Sequence, residues 1–75
     1  MSVIALNSLT TGNTAIIKGF TENAHLQSRM VEMGVLPGIK VRMIKKTPFH
    51  GPLEIKIRSY HLTLRWEDAG HILVN

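Results

Sequence analysis

The sequence predicts a mainly β fold: a small five-stranded barrel with one α-helix and a short C-terminal helical turn. Three observations carry this reading. The chain has 75 residues, 44% of them hydrophobic, enough for one core and therefore for one domain spanning residues 1–75. Turn signals come often, at Thr11-Gly12-Asn13, Gly34, Leu36-Pro37-Gly38, Thr47-Pro48, His50-Gly51-Pro52, Ser59 and Gly70, and leave room for short strands and a single helix. Leu53, Ile55 and Ile57 alternate with Glu54, Lys56 and Arg58, the pattern of a strand with one buried face.

Each element has its own warrant. Thr14 to Phe20 is apolar and β-branched, and Gly19 marks a bulge within that strand. The helix runs from about Glu22 to Met33, with Thr21 as N-cap and the Glu22 carboxylate at the positive end of the dipole. Leu26, Met30 and Met33 form its apolar stripe, while His25, Arg29 and Glu32 face away. Gly34 is suited to the left-handed residue that ends a helix. Pro37 and Gly38 fit the two central positions of a tight turn.

The next strand puts Ile39, Val41 and Met43 on one face and Lys40, Arg42 and Lys46 on the other. Leu53 to Arg58 and His61 to Arg65 form a hairpin. A two-residue turn at Ser59-Tyr60 pairs Ile57 with Leu62, Ile55 with Leu64 and Glu54 with Arg65, although such turns favour Asn or Gly. Trp66 to Ala69 has room for one helical turn, and His71 to Val74 supplies a last strand with Ile72 and Val74 inward. The expected core is Leu6, Leu9, Ala15, Ile17, Leu26, Met30, Met33, Val41, Met43, Ile55, Ile57, Leu62, Leu64, Ile72 and Val74.

Charge divides unevenly along the chain. The net charge is +4, but Lys40 to Arg65 holds seven basic residues against Glu54 alone. A basic central third favours an acidic partner. Without Cys there is no disulfide framework and no thiolate chemistry. The longest apolar run, Val3 to Leu6, falls far short of the roughly 20 residues that span a bilayer. No Lys or Arg precedes Lys18, so a signal peptide's basic start is missing, and a cytoplasmic location is expected.

Catalytic signatures are absent. Glu67 and Asp68 are adjacent and point apart, the serines have no Gly-x-Ser-x-Gly context, and no phosphate-binding loop occurs. The chain is expected to be no enzyme, to bind no nucleotide directly and to carry no cofactor. His25, His50, His61 and His71 lack metal-ligand spacing, His61 and His71 being the best available pair, and no metal site is assigned. Nucleic acid remains an alternative partner, but Tyr60 is the one aromatic near the basic strands, which leaves phosphate contacts to carry any binding.

Four motifs in order connect these pieces. They are Leu6-x-x-Leu9-x-x-Gly12-x-x-Ala15-x-Ile17, Arg29-Met30-x-x-Met33-Gly34-x-x-Pro37-Gly38-x-x-Val41, Pro48-Phe49-x-x-Pro52-Leu53-x-Ile55 and Leu62-x-Leu64-Arg65-x-x-x-Ala69-x-x-Ile72-x-Val74. Together they resemble the ferrous iron transport protein A (FeoA) family of small SH3-like domains over essentially the whole chain. Two places depart from the family pattern: Ser59 stands where the hairpin usually carries Gly, and His50-Gly51 where a Gly-Asp pair is common. The fold is also similar to the C-terminal SH3-like domain of iron-dependent repressors, so an alternative is an SH3-like nucleic-acid-binding or metal-dependent regulatory module. The chain's length, with no winged-helix region before the domain, points to the transport family.

The resemblance implies a cytoplasmic accessory role in ferrous iron transport beside the membrane transporter FeoB, whose cytoplasmic portion contains a GTPase domain. It implies modulation of that transporter's activity or assembly, with membrane contact only through the partner. Two surfaces are candidates for docking. One is the helix end and following turn, with Arg29, Val35, Leu36, Pro37 and Gly38, where apolar anchors sit beside a basic group. The other is the basic outer face of Arg42, Lys56, Arg58 and Arg65, suited to raising the association rate.

Overall fold

Residues 2–75 are described by a computed structural model. The chain runs through β1 (Ile4–Ala5), a 3₁₀ turn (Leu6–Ser8), β2 (Thr14–Phe20), α1 (Ala24–Glu32), β3 (Lys40–Lys46), β4 (Leu53–Ile57), β5 (Tyr60–Leu64), α2 (Trp66–Ala69) and β6 (Ile72–Val74). The strands form one antiparallel sheet in the order β1-β6-β2-β3-β4-β5. The class is the expected one, and the two-residue β1 joins the five predicted strands.

β2 holds the sheet's two halves together. Thr14 to Ile16 pair with β3, while Ile17 to Phe20 pair with β6. Between Ile17 and Gly19 the β6 register shifts by one, leaving Lys18 as the extra residue at the bulge expected beside Gly19. The molecule measures 28 × 26 × 23 Å, too even for a flat sheet with a helix laid on it. The sheet curls so that every strand from β2 to β6, together with Leu26 and Met30 of α1, contributes to one buried cluster.

The helix starts later than its polar residues suggest. Asn23 is the N-cap, its Oδ1 accepting the Leu26 N–H at 3.1 Å. Thr21 does not cap. Its N–H donates to the His71 carbonyl at 2.8 Å and its hydroxyl pairs with His71 Nδ1 at 2.5 Å, so it still belongs to the β2–β6 edge. At the other end Gly34 has φ +86°, the Val35 N–H donates to the Met30 carbonyl at 2.9 Å, and the Gly34 N–H donates to the Val31 carbonyl at 3.0 Å. This is a Schellman closure, and its hydrophobic contact explains why Val35 is fully buried beside Met30. The Tyr60 hydroxyl donates to the Met33 carbonyl and locks the same end.

Two registers differ from expectation. The β4–β5 pairing is Ile57↔Tyr60, Ile55↔Leu62 and Leu53↔Leu64, two residues from the predicted one, so Glu54 faces Thr63 and not Arg65. The turn is Arg58-Ser59, with Arg58 at φ +52° in its first central position. Leu53, on the face of Ile55 and Ile57 and opposite Leu64, is buried in the core. In β3 a bulge at Ile44 moves Lys46 opposite the buried Leu53 and off the face it was expected to share with Lys40 and Arg42. Leu53, Val35 and Ala69 are buried beyond the expected core, while Ala15, Met33 and Leu62 pack against it partly covered.

Replacing the fully buried Ile57 by Ala is expected to destabilise the domain by roughly 2–5 kcal/mol in chemical denaturation. Gly34→Ala should cost about 1–2 kcal/mol for its left-handed backbone, and more because the new Cβ meets the Tyr60 hydroxyl. In a Tyr60→Phe background the excess should vanish and the backbone part remain, which a double-mutant cycle measures.

Candidate functional site

Strand alternation gathers the basic residues. Lys40 and Arg42 stand on the outer face of β3, and Arg42 lies directly between Thr14 of β2 and Lys56 of β4 in the ladder. Arg58 follows at the β4–β5 turn. With Gly38 and Ile39 these residues wall a shallow groove of about 500 Å³. Gly38 is shaped for that position: the Leu36 carbonyl accepts the Ile39 N–H at 3.1 Å, closing a turn with Pro37 and Gly38 at its centre and Gly38 at φ +91°. The Gly38 N–H then donates to the Ile17 carbonyl at 2.7 Å and fixes the turn to β2.

The groove is electrostatically one-sided. Among the described residues the ion pairs are Arg29–Asp68 and His61–Glu54, so the four groove cations have no carboxylate partner. Arg42 faces Lys56 across the ladder, and like charges so placed oppose pairing by a few tenths to about 1 kcal/mol. A concave surface lined by one sign of charge concentrates counter-charged groups. Its chemistry is that of binding: cationic donors surround Thr14, with neither a carboxylate base nor an imidazole on the wall.

The predicted site residues separate. Arg42, Lys56, Arg58 and Gly38 meet in the groove, while Arg65 lines a different depression with Arg29 and Asp68. There the Arg29 Nη2 donates to Asp68 Oδ2 at 3.1 Å, an exposed pair worth under about 1 kcal/mol. Val35 has no exposed surface and cannot be a docking anchor; Leu36 is half-buried, and Pro37 and Gly38 are exposed. Lys40 and Thr14 are groove residues that the sequence reading left out. Lys40 was legible, since period two puts it on the face of Arg42.

The histidines are dispersed. His61 Nδ1 pairs with Glu54 Oε2 at 2.6 Å, His71 pairs with Thr21, His50 stacks on Trp66 and His25 lies exposed on α1. Among the described residues no three His, Asp or Glu side chains stand together as metal ligands.

Known proteins share this architecture. A family model described as the FeoA domain matches residues 4–75. A Porphyromonas gingivalis protein, the Fe(2+) transport protein A/Fe(2+) transporter FeoB fusion protein, is 32% identical over 69 residues, covering 92% of this chain and 8% of that protein. The chain thus spans a small fraction of this relative's length. The solution structure of iron(II) transport protein A from Clostridium thermocellum is 31% identical with a TM-score of 0.86, over 95% of this chain and 44% of that one. FeoA of Stenotrophomonas maltophilia, described as a prokaryotic SH3 domain protein and solved in complex with zinc, is 26% identical with a TM-score of 0.81, over 93% and 87%.

Replacing Lys56 by Glu turns the repulsion with Arg42 into attraction. The variant is expected to be as stable as the natural chain or up to about 1 kcal/mol more stable, read from the denaturant midpoint.

Proposed function

The chain belongs to the FeoA family of SH3-like domains, and from that premise we propose that it is a non-enzymatic accessory protein of ferrous iron transport. In this reading it docks on the cytoplasmic, GTPase-containing part of an FeoB transporter through the groove of Lys40, Arg42, Lys56 and Arg58, and modulates the transporter's activity or assembly. The docking places it in the cytoplasm. The observation that carries the reading is the Porphyromonas gingivalis relative, in which a domain of this kind and an FeoB transporter are one polypeptide. A covalent link maintains a high effective concentration of the domain beside the transporter, which is useful where the two interact.

The groove supplies the chemistry for such an encounter. Four unpaired cations on a rigid sheet suit a carboxylate-rich segment, and their long-range field raises the association rate. No aromatic side chain lines the groove for base stacking, which favours an acidic protein over single-stranded nucleic acid.

The deciding experiment is a titration against the isolated cytoplasmic domain of the cognate FeoB. Saturable binding that weakens as salt rises is expected. The double variant Lys56→Glu/Arg58→Glu should weaken it by roughly tenfold or more while remaining folded. Absence of binding at roughly millimolar concentration, or binding indifferent to the double variant, would overturn the groove assignment. Isolated chain should show no heat with GTP, and roughly micromolar affinity for GTP would defeat the expectation that it has no nucleotide site of its own. Generic DNA or RNA in place of the transporter domain is expected to bind weakly.

A further inference from the structure

The β3–β4 loop holds an aromatic ring in solvent. Phe49 is the most exposed large apolar residue of the described chain, with its entire side chain accessible. Its position is built rather than loose. Phe49 and His50 both adopt left-handed backbone, at φ +59° and +57°, a conformation unfavourable for bulky residues and retained where the surroundings enforce it. Those surroundings are visible: the Thr47 hydroxyl donates to the Pro52 carbonyl at 2.8 Å, the Gly51 N–H donates to the Pro48 carbonyl at 3.2 Å, and the His50 ring lies flat on Trp66 with centroids 4.1 Å apart. Nothing in the core accounts for an aromatic residue at 49.

We propose that the Pro48–Pro52 loop is a membrane-contact element that lays Phe49 into the interface of an anionic lipid bilayer. One ring on a narrow loop offers too little area for a protein docking site, which buries about 1,200–2,000 Å² in all. The other exposed aromatic residue, Tyr60, lies at the far end of the β4–β5 hairpin and cannot join Phe49 in one patch. A bilayer interface accepts a single aromatic ring, and basic side chains beside it add attraction to anionic headgroups. Lys45 and Lys46 lead into this loop and Arg65 adjoins Trp66. Of the acidic residues on the neighbouring segments, Glu54 is paired with His61, Asp68 beside Arg65 is paired with Arg29, and Glu67 is exposed on α2. No helix among the described residues is long and apolar enough to cross a membrane. The fusion relative places such a domain in one polypeptide with a transporter. The inference adds direct lipid contact to an expectation that confined membrane contact to the partner.

The test is vesicle flotation of the full chain with phosphatidylcholine, with and without phosphatidylglycerol. Binding is expected only where phosphatidylglycerol is present, and it should weaken with salt. Phe49→Asn suits left-handed backbone and so keeps the loop's fold; it should reduce partitioning by roughly tenfold or more, while Phe49→Trp retains it. No flotation with anionic vesicles, or flotation unchanged in Phe49→Asn, would overturn the proposal. So would loss of binding to the soluble FeoB cytoplasmic domain in Phe49→Asn, which would make Phe49 a protein anchor. The vesicles contain no transporter, so a failure here leaves the groove reading standing, and the reverse also holds.

Discussion

The closure of α1 at Gly34 is the constraint on which much else rests. Its left-handed backbone lets the chain reverse and carries Val35 into the core against Met30. Three residues later the Leu36–Ile39 turn anchors itself on the Ile17 carbonyl. Residues 34–39 thereby connect the helix, β2 and the start of β3 through backbone hydrogen bonds rather than through side-chain choice. The outer face of β3 inherits its aim from this connection, and the basic groove inherits its floor.

Stability and binding pull in opposite directions on that face. Period-two alternation sends the apolar residues of β3 and β4 inward, so the outer positions are free of packing demands. They are nonetheless occupied by like charges set opposite each other in register. A sequence selected for folding alone would alternate signs there, as Glu54 and Lys45 do one step along the ladder. The concentration of unpaired cations is thus a departure from local optimality, the kind expected where a surface serves a partner.

Much of the fold was legible because burial imposes periodicity. The stripe of Leu26 and Met30, the alternation of Leu53, Ile55 and Ile57, and the Pro37-Gly38 turn each follow from one strong rule. The failures have physical causes. The hairpin register slipped because its left-handed turn residue is Arg58, which advertises no such backbone, whereas a Gly would have done so. Thr21 looked like a cap because its partner, His71, is distant in sequence and visible only once β2 and β6 are paired. Lys46 left the basic face through a bulge at Ile44 that has no Gly to mark it. Val35 could have been read correctly, since the residue after a helix-ending Gly commonly packs back onto the last turn. The division of the basic face into a groove and a separate Arg65 depended on that hairpin register.

The short strand β1 has a geometric consequence. Ile4 pairs with Val74, so the two ends of the described chain emerge side by side at one edge of the sheet. A tether attached at either end would therefore leave from nearly the same point and present the domain in nearly the same orientation. Joining the ends by a short linker and opening the chain at another loop would preserve every strand neighbour, so this topology is suited to circular permutation and to insertion within a larger polypeptide. The edge also sets how the domain yields under tension. Drawing the two ends apart would load the Ile4–Val74 end of the β1–β6 ladder first on one side and the Asn75–Ile16 hydrogen bonds to β2 on the other.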